Sequence, residues 1–534
     1  MSNNLDITKN SKYTVLITTS GIGSRLGNQT LYTNKSLIVL GKKPALAHII
    51  EKYPEDTTFV ITLGYFGEHV RDFIKLSYPE KKFKFVDVKP FSGPNSSLGY
   101  SIYSARDFLQ KPFIYHACDT LILDEDIPEP NSNWVAGFKG NDATNYASFD
   151  VQGNLVEKFN DKGMTDFDFI HIGLVAVKSY KEFWWTLESL LNSDLNNSEL
   201  NDVSVLEKLT KDDVKFRVEK FKSWADIGNS SSLVAAKKLF GESFNVLEKP
   251  QESVSFIKNF VVKFFTDQQV VANRVKRMKY LGDTVPKFRN SYNNFYSYEF
   301  HHGKTLANSL NPYLILNLLA WVKKNLWSIK PENKLAEFTA LAETFYFTKS
   351  NIRLQEFKDT RLIRDETCEI NGQLTPSARD LIYKSRPLLI ENTEIGRFHG
   401  DFILDNIIVS SPGFKLIDWR QDFAGNIEFG DIYYDLAKLN HSFHINHELV
   451  INGNYFVKVN ESKIECSILR RDVHVEMEQY LKGFIKTENL CWNKIEVLTA
   501  LIWLNMAPLH HHPFDKFLYY YGRYNLWRAL NAKA

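Results

Sequence analysis

Two stretches of the chain gather side chains suited to handling phosphate. The first, His399-Gly400-Asp401-Phe402-Ile403-Leu404-Asp405-Asn406 followed by Leu416-Ile417-Asp418-Trp419, sets carboxylates and a carboxamide at close spacing. Moving a phosphoryl group onto a hydroxyl needs a carboxylate to orient the hydroxyl and accept its proton. It also needs oxygen ligands to hold magnesium on the nucleotide phosphates. Asp401, Asn406 and Asp418 supply those groups. The second, Gly21-Ile22-Gly23-Ser24-Arg25-Leu26-Gly27, precedes Asn34-Lys35-Ser36-Leu37. Glycines at a strand exit let the backbone approach a phosphate chain, whose oxygens its amides can then meet. Arg25 and Lys35 would neutralise charge building on a triphosphate during substitution at its α-phosphorus. A plain turn explains an isolated Gly-x-Gly equally well, whereas the ordered set ending at Lys35 is more specific.

The elements that must position these groups differ between the two halves. Up to about Phe240, Val15-Leu16-Ile17, Phe59-Val60-Ile61, Phe85-Val86 and Phe113-Ile114-Tyr115 read as buried strands. Leu46 to Lys52, Phe66 to Leu76 and Leu98 to Leu109 read as helices between them. The alternation predicts a parallel sheet covered on both faces. Another helix is expected from Ser179, where Glu182 completes a capping-box pattern. After Phe240, Val254 to Ile257 and Phe260 to Phe264 read as antiparallel strands turning at Lys258-Asn259. Helices dominate after Asn311-Pro312, an N-cap followed by proline. Ile407-Ile408-Val409 and Phe414 to Ile417 would be short strands around Ser411-Pro412-Gly413. The expected domains are residues 1–240, a linker at 241–249, and 250–534, the last with a small lobe (250–305) and a helical lobe (306–534).

The N-terminal pattern resembles the sugar-phosphate nucleotidyltransferase family, including its phosphocholine cytidylyltransferase branch, over most of residues 13–240. That family opens with GxGxRL…PKxL; here Thr19-Ser20-Gly21 replaces its Ala-Ala-Gly, and Asn34 its proline. The resemblance implies a Rossmann-like, GT-A-like α/β domain with nucleotide bound at Gly21, Gly23 and Ser24. Gly93 and Ser97, in Gly93-Pro94-Asn95-Ser96-Ser97-Leu98, fall where the family contacts the nucleobase, although a capped helix start accounts for them equally. Asp119, at the end of an apolar strand, and Asp226, in Trp224-Ala225-Asp226-Ile227-Gly228, match the magnesium ligands. Lys162 of Asp161-Lys162 would hold the acceptor phosphate; Glu157-Lys158 offers another register, and a solvated charged hairpin a third reading.

The C-terminal motif resembles the aminoglycoside phosphotransferase and choline kinase family, HGDxxxxN…IDW, over roughly 250–525. The likeness implies a two-lobed, protein-kinase-like α+β domain. In it Asp401 is the base, Asn406 and Asp418 bind magnesium, Lys263 contacts the α/β-phosphates, and Glu299 lies in the hinge beside adenine. Gly430-Asp431…Asp435-Leu436-Ala437 matches a segment that supports the catalytic loop. The helix after Lys263, Gln268 to Leu281, carries no Glu to pair with that lysine.

The two resemblances together imply a bifunctional enzyme. ATP would phosphorylate a small alcohol, amino alcohol or sugar, and a second NTP, with CTP favoured, would then donate a nucleotidyl group to that phosphate and release pyrophosphate. The product would feed a capsule or related surface polymer. In the alternative, one half is catalytic and the other is a binding or regulatory module. A glycosyltransferase would favour a DxD motif, which Asp119-Thr120-Leu121 does not provide.

Composition sets the remaining bounds. The chain has 534 residues, 44% apolar and 24% charged, and its 65 basic and 63 acidic residues nearly cancel. The charges are interleaved, so a nucleic-acid partner has no electrostatic footprint. Cys118, Cys368, Cys466 and Cys491 lack metal or disulfide spacing. Met1 to Lys12 lacks the apolar run of a signal peptide. Tyr313 to Val322 is about half a bilayer span, so a cytoplasmic location is expected. His510-His511-His512 is expected to pack or meet acceptor rather than chelate. Tyr519-Tyr520-Tyr521 and Trp527 read as aromatic core or as a cation–π pocket.

Overall fold

A computed structural model describes residues 13–124, 126–193, 199–241, 250–331, 335–391, 393–411, 413–461 and 463–532. The expected linker beyond Gly241, the segment Met1 to Lys12, and Pro412 lie outside these residues. The chain divides into two compact units. One is 1–268 with 290–297, and the other 269–289 with 298–534.

In the first unit, Thr14–Thr18 is flanked by Thr58–Leu63 and Phe113–Ala117, with Lys82–Asp87 beyond Thr58–Leu63, all parallel. Phe169–Val177 then runs antiparallel to Phe113–Ala117 and to Trp134–Phe138. Arg217–Phe221, Leu155–Asn160 and Ser148–Gln152 complete nine strands. The expected parallel sheet is therefore parallel on one side and mixed on the other. Both faces are covered, as side-chain alternation shows: Val15, Ile17, Phe59 and Ile61 enter one core, Leu16, Val60 and Phe113 the opposite one.

The helix Tyr180–Asn192 starts where expected, but without the capping box. Asn133 Oδ1 accepts from the amide of Ser179 at 2.9 Å, and Asn133 Nδ2 donates to its hydroxyl at 3.1 Å. A distant side chain has taken over the cap.

Glu252–Ile257 and Phe260–Phe265 pair antiparallel through Lys258, whose φ of 49° makes the tight turn. They belong to a four-stranded sheet with Phe288–Tyr292 and Phe295–Glu299. Phe264 and Phe295 pack with Phe73 and His69 of the helix Gly67–Ser77. This sheet's core residues thus join the first unit's core, whereas the sequence pattern grouped them with the helical half.

The second unit is built on long helices, among them Pro312–Val322, Lys349–Arg361, Ile432–His444, Trp492–Met506 and Phe514–Asn531. Asn311 caps the first of these, accepting from the Tyr313 amide at 3.0 Å. The hairpin Ile407–Ser410 with Gly413–Leu416 forms as expected. A second sheet of Gln373–Thr375, Cys368–Ile370, Lys463–Ile468 and Tyr455–Asn460 was not anticipated. No helix among the described residues is long and apolar enough to cross a membrane.

Candidate active site

The first unit holds a cavity of about 920 Å³ at the C-terminal ends of its parallel strands. Gly21, Arg25, Lys35, Ser97, Asp119, Lys162 and Asp226 all line it; Gly23, Ser24 and Gly93 stand outside the lining. Asp161 and Lys162 are among the lining residues, and Glu157 and Lys158 are not.

Gly23 (φ 70°) serves the shape of the loop instead, since a Cβ there would come 3.2 Å from both Lys35 Cβ and Thr30 Cγ2. Its bare backbone lets the loop close against the Lys35 stem. Ser24 begins the short helical turn Ser24–Thr30 that carries Arg25. Ser97 caps Leu98–Tyr103, accepting from the Tyr100 amide at 3.0 Å. Gly93, with φ 78°, accepts from the Ser96 amide and hydroxyl in the preceding turn.

Asn34 is fully buried where the family's opening motif has proline. Its Nδ2 donates to the Thr19 carbonyl at 2.8 Å and to the Tyr65 carbonyl at 2.6 Å, and its Oδ1 accepts from the Ser36 amide at 2.9 Å. Side-chain hydrogen bonds thus fix the turn that presents Lys35.

Lys35 Nζ lies 2.7 Å from Asp119 Oδ2. Burial works against the ammonium, but Asp119 overrides it and raises the Lys35 pKa. Asp119 is likewise opposed by burial and held low by Lys35. Burial and then the Asp119 charge push Asp226 up. Asp226 accepts from the Gly228 amide at 2.9 Å and the Tyr146 hydroxyl at 3.1 Å. A Cβ on Gly228 would sit 3.0 Å from Asp226 Oδ1, 3.2 Å from Asp119 Oδ2 and 3.5 Å from Arg25 Nη2. Two carboxylates and a guanidinium therefore surround one point. Gly228 is the residue that sequence reasoning passed over; its place two positions after Asp226 was the available signal.

In the second unit, Asn406 Nδ2 donates to the Asp401 carbonyl at 2.9 Å and to Asp401 Oδ2 at 3.1 Å, leaving its own oxygen for a cation. Burial raises the Asp401 pKa, but Lys438, 2.8 Å from Oδ1, brings it well below the ordinary carboxylate value. Asp418 follows the hairpin in left-handed backbone (φ 57°), with Arg274 Nη1 at 3.8 Å from Oδ1.

The loop is held from beneath. Asp435, fully buried, accepts from the amides of His399 at 2.7 Å and Gly400 at 2.6 Å and from Trp327 Nε1 at 3.0 Å. Burial pushes the pKa of Asp435 up to about 6. His399 Nε2 lies 2.9 Å from the Ile417 carbonyl, and burial lowers its pKa to about 4. A Cβ on Gly400 (φ 86°) would come 2.6 Å from Arg420 Cβ, so glycine is required there.

The helix Gln268–Leu281, which contains no Glu, packs arginines instead. It supplies Arg277, 1% exposed, which donates to the carbonyls of Phe398 and Arg420, and Arg274, whose carbonyl accepts from Trp419 Nε1 at 3.0 Å. Arg277 and Arg274 thus brace the segment from Phe398 to Arg420. Lys263 is buried on Phe260–Phe265 in the first unit. Glu299 ends Phe295–Glu299; its amide donates to the Lys287 carbonyl at 2.9 Å and its carboxylate lies 3.8 Å from Lys287 Nζ.

Tyr519 and Tyr520 are buried, and the Tyr519 hydroxyl donates to Asp365 Oδ1 at 2.6 Å, as a core reading requires. Among the described residues no three or more His, Cys, Asp and Glu side chains gather as a metal cage, His510 to His512 included.

No family profile matches the chain. The N-terminal 45% or so is similar to known proteins. The bifunctional protein GlmU of Methanococcus vannielii is 26% identical over 236 residues, 42% of this chain and 54% of that protein. GlmU of Methanocaldococcus jannaschii is 24% identical over 236 residues, 43% of this chain and 55% of that protein. The chain thus spans about half the length of these curated relatives. Among solved structures, a UDP-glucose pyrophosphorylase complexed with UDP-glucose aligns at 16% identity and TM-score 0.38, over 43% of this chain and 98% of that one. CTP:phosphocholine cytidylyltransferase from Streptococcus pneumoniae aligns at 16% identity and TM-score 0.36, over 43% of this chain and 100% of that one. The first unit is thus a mixed α/β unit whose sequence is similar to part of these curated proteins.

Proposed function

We propose that the chain joins a magnesium-dependent nucleotidyltransferase to a small-molecule kinase, the kinase product serving as acceptor for the other site. The observation that carries the reading is the placement of Asp119, Asp226 and Arg25 around Gly228, with Lys35 on Asp119, inside one large cavity. Magnesium binds through one or two carboxylates plus substrate phosphates rather than an all-protein cage, and the pair Asp119 and Asp226 fits that demand. When bound there, magnesium would offset the negative charge of the triphosphate. Arg25 and Lys35 stabilise charge on the α-phosphate, while Lys162 holds the acceptor's phosphate, whose oxygen attacks in line with the departing pyrophosphate. No protein nucleophile is needed.

In the second unit, Asp401 orients the acceptor hydroxyl and takes its proton, with Asn406 and Asp418 providing oxygen for a nucleotide-bound cation. Lys263 and Glu299 are proposed for the ATP phosphates and adenine. CTP is the favoured second nucleotide and surface-polymer synthesis the proposed destination. The first rests on the resemblance to the phosphocholine branch and the second on family analogy.

The test uses the full chain with Asp119→Asn and Asp401→Asn. Pyrophosphate release from an NTP panel with phosphorylated acceptors is expected to fall at least ~100-fold in the first variant only. ATP-dependent phosphorylation of alcohols is expected to fall roughly 10²- to 10⁴-fold in the second only. Unchanged rates in either variant would reduce the matching unit to a binding or regulatory module.

A further inference from the structure

The surroundings of Asp401 carry more positive charge than catalysis at a neutral or cationic alcohol requires. Lys438 pairs with Asp401, 2.8 Å apart, on a side chain only 15% exposed. Lys349 Nζ and Arg420 Cζ each lie 4.9 Å from the centre of the same Phe345 ring. Arg420 also packs on Gly400, the residue before Asp401. Lys349 opens the helix Lys349–Arg361 directly after a π-helical turn, Thr344–Thr348, that brings Phe345 inward. Such turns are frequent at functional sites.

Three basic side chains thus gather around one carboxylate, and Lys438 is the one paired with it. Among the described residues the Lys349 ammonium makes no ion pair or hydrogen bond and sits over the Phe345 ring. Burial first, and then Arg420, Lys438 and Arg353, lower its pKa to about 6, with Asp401 offsetting only in part. Mutual repulsion of this kind is relieved by a bound anion.

We propose that the hydroxyl compound received at Asp401 is itself an anion, its carboxylate or phosphate held by Lys349, Arg420 and Lys438. The acceptor class is then a hydroxy acid or a hydroxyl-bearing phosphate ester rather than an amino alcohol or a neutral sugar. This inference rests on the kinase reading for its chemistry, but its binding test does not.

The intact chain is titrated calorimetrically with glycerate, glycerol 2-phosphate, glycerol and choline. At least one of the two anions is expected to bind tenfold or more tighter than glycerol, with choline weakest. The stronger of the two identifies which anionic group the site takes. Lys349→Gln should remove the preference and leave MgATP affinity unchanged, whereas Lys162→Gln, in the other unit, should keep it. Arg420→Gln is the second variant should Lys349→Gln fail to fold. Anion binding should also draw a proton onto Lys349, seen as heat that varies with the buffer's ionisation enthalpy. Equal or tighter binding of glycerol or choline overturns the proposal, as does a preference lost in Lys162→Gln instead. Anion binding without any ATP consumption would sink the kinase reading alone. ATP-dependent phosphorylation of choline but not of either anion would sink the inference alone.

Discussion

Gly228 shows how a residue without a side chain can set a reaction centre. The space its missing Cβ would fill is bounded by both carboxylates and the Arg25 guanidinium. Adding one methyl group pushes apart groups whose spacing the proposed cation must match. For Gly228→Ala, pyrophosphate release is expected to fall roughly 10- to 100-fold while the melting temperature stays within a few degrees. Steady-state kinetics beside thermal melts check both parts, and an unchanged rate would remove Gly228 from the site. Asn34 makes a complementary point. Where proline would stiffen a turn through its fixed φ, a fully buried carboxamide joins Thr19, Tyr65 and Ser36 by hydrogen bonds.

At the scale of elements, the strands that carry the site were legible as short unbroken apolar runs, and helix starts by their caps. Val15 to Ile17, Phe59 to Ile61 and Phe113 to Tyr115 all lie in strands, and Asn311 caps its helix. Local periodicity fails where the deciding partner is remote. Asn133, 46 residues away from Ser179, displaces the expected capping box. The sheet of Cys368–Ile370 and Lys463–Ile468 joins segments nearly a hundred residues apart. Charge arrangement was no more readable: that Lys438, Lys349 and Arg420 meet near Asp401 depends on helix packing, not spacing. The Gln268–Leu281 helix illustrates both limits. Its missing Glu is visible in the sequence, but the role Arg277 takes instead is not. Arg277→Met would leave the Phe398 and Arg420 carbonyls without that donor. It is expected to lower stability by on the order of 3 kcal/mol, read by urea denaturation. It should also slow phosphorylation more than it raises KM for ATP, because loop position rather than nucleotide contact is lost. A variant as stable as the parent would disprove the strut.

Over the whole molecule, each unit carries a histidine kept neutral by burial. In the first unit His116 is fully buried between the Tyr53 hydroxyl at 2.8 Å and the Thr120 carbonyl at 2.9 Å. In the second, His399 is fully buried above Ile417. Burial lowers both pKa values to about 4, against about 6.5 in the unfolded chain. The unfolded chain therefore binds more protons between these limits. The stabilisation is complete above pH 6.5 and is lost as pH falls toward 4, by up to about 1.4 kcal/mol per pH unit for each histidine. Thermal melts taken from neutral pH down to about 4 should show this decline, and His116→Gln should flatten it relative to the parent. Parallel slopes for parent and variant would refute it.

The backbone of Asp418 places an unusual pressure on how this gene drifts. At φ 57° a side chain is strained, and glycine would relieve roughly 1 kcal/mol of that cost. Selection for a sturdier chain alone would favour losing the carboxylate at that position. A natural variant carrying Asp418→Gly should therefore melt higher and transfer no phosphate, a sign of a lineage in which the proposed chemistry has been abandoned while the scaffold lives on.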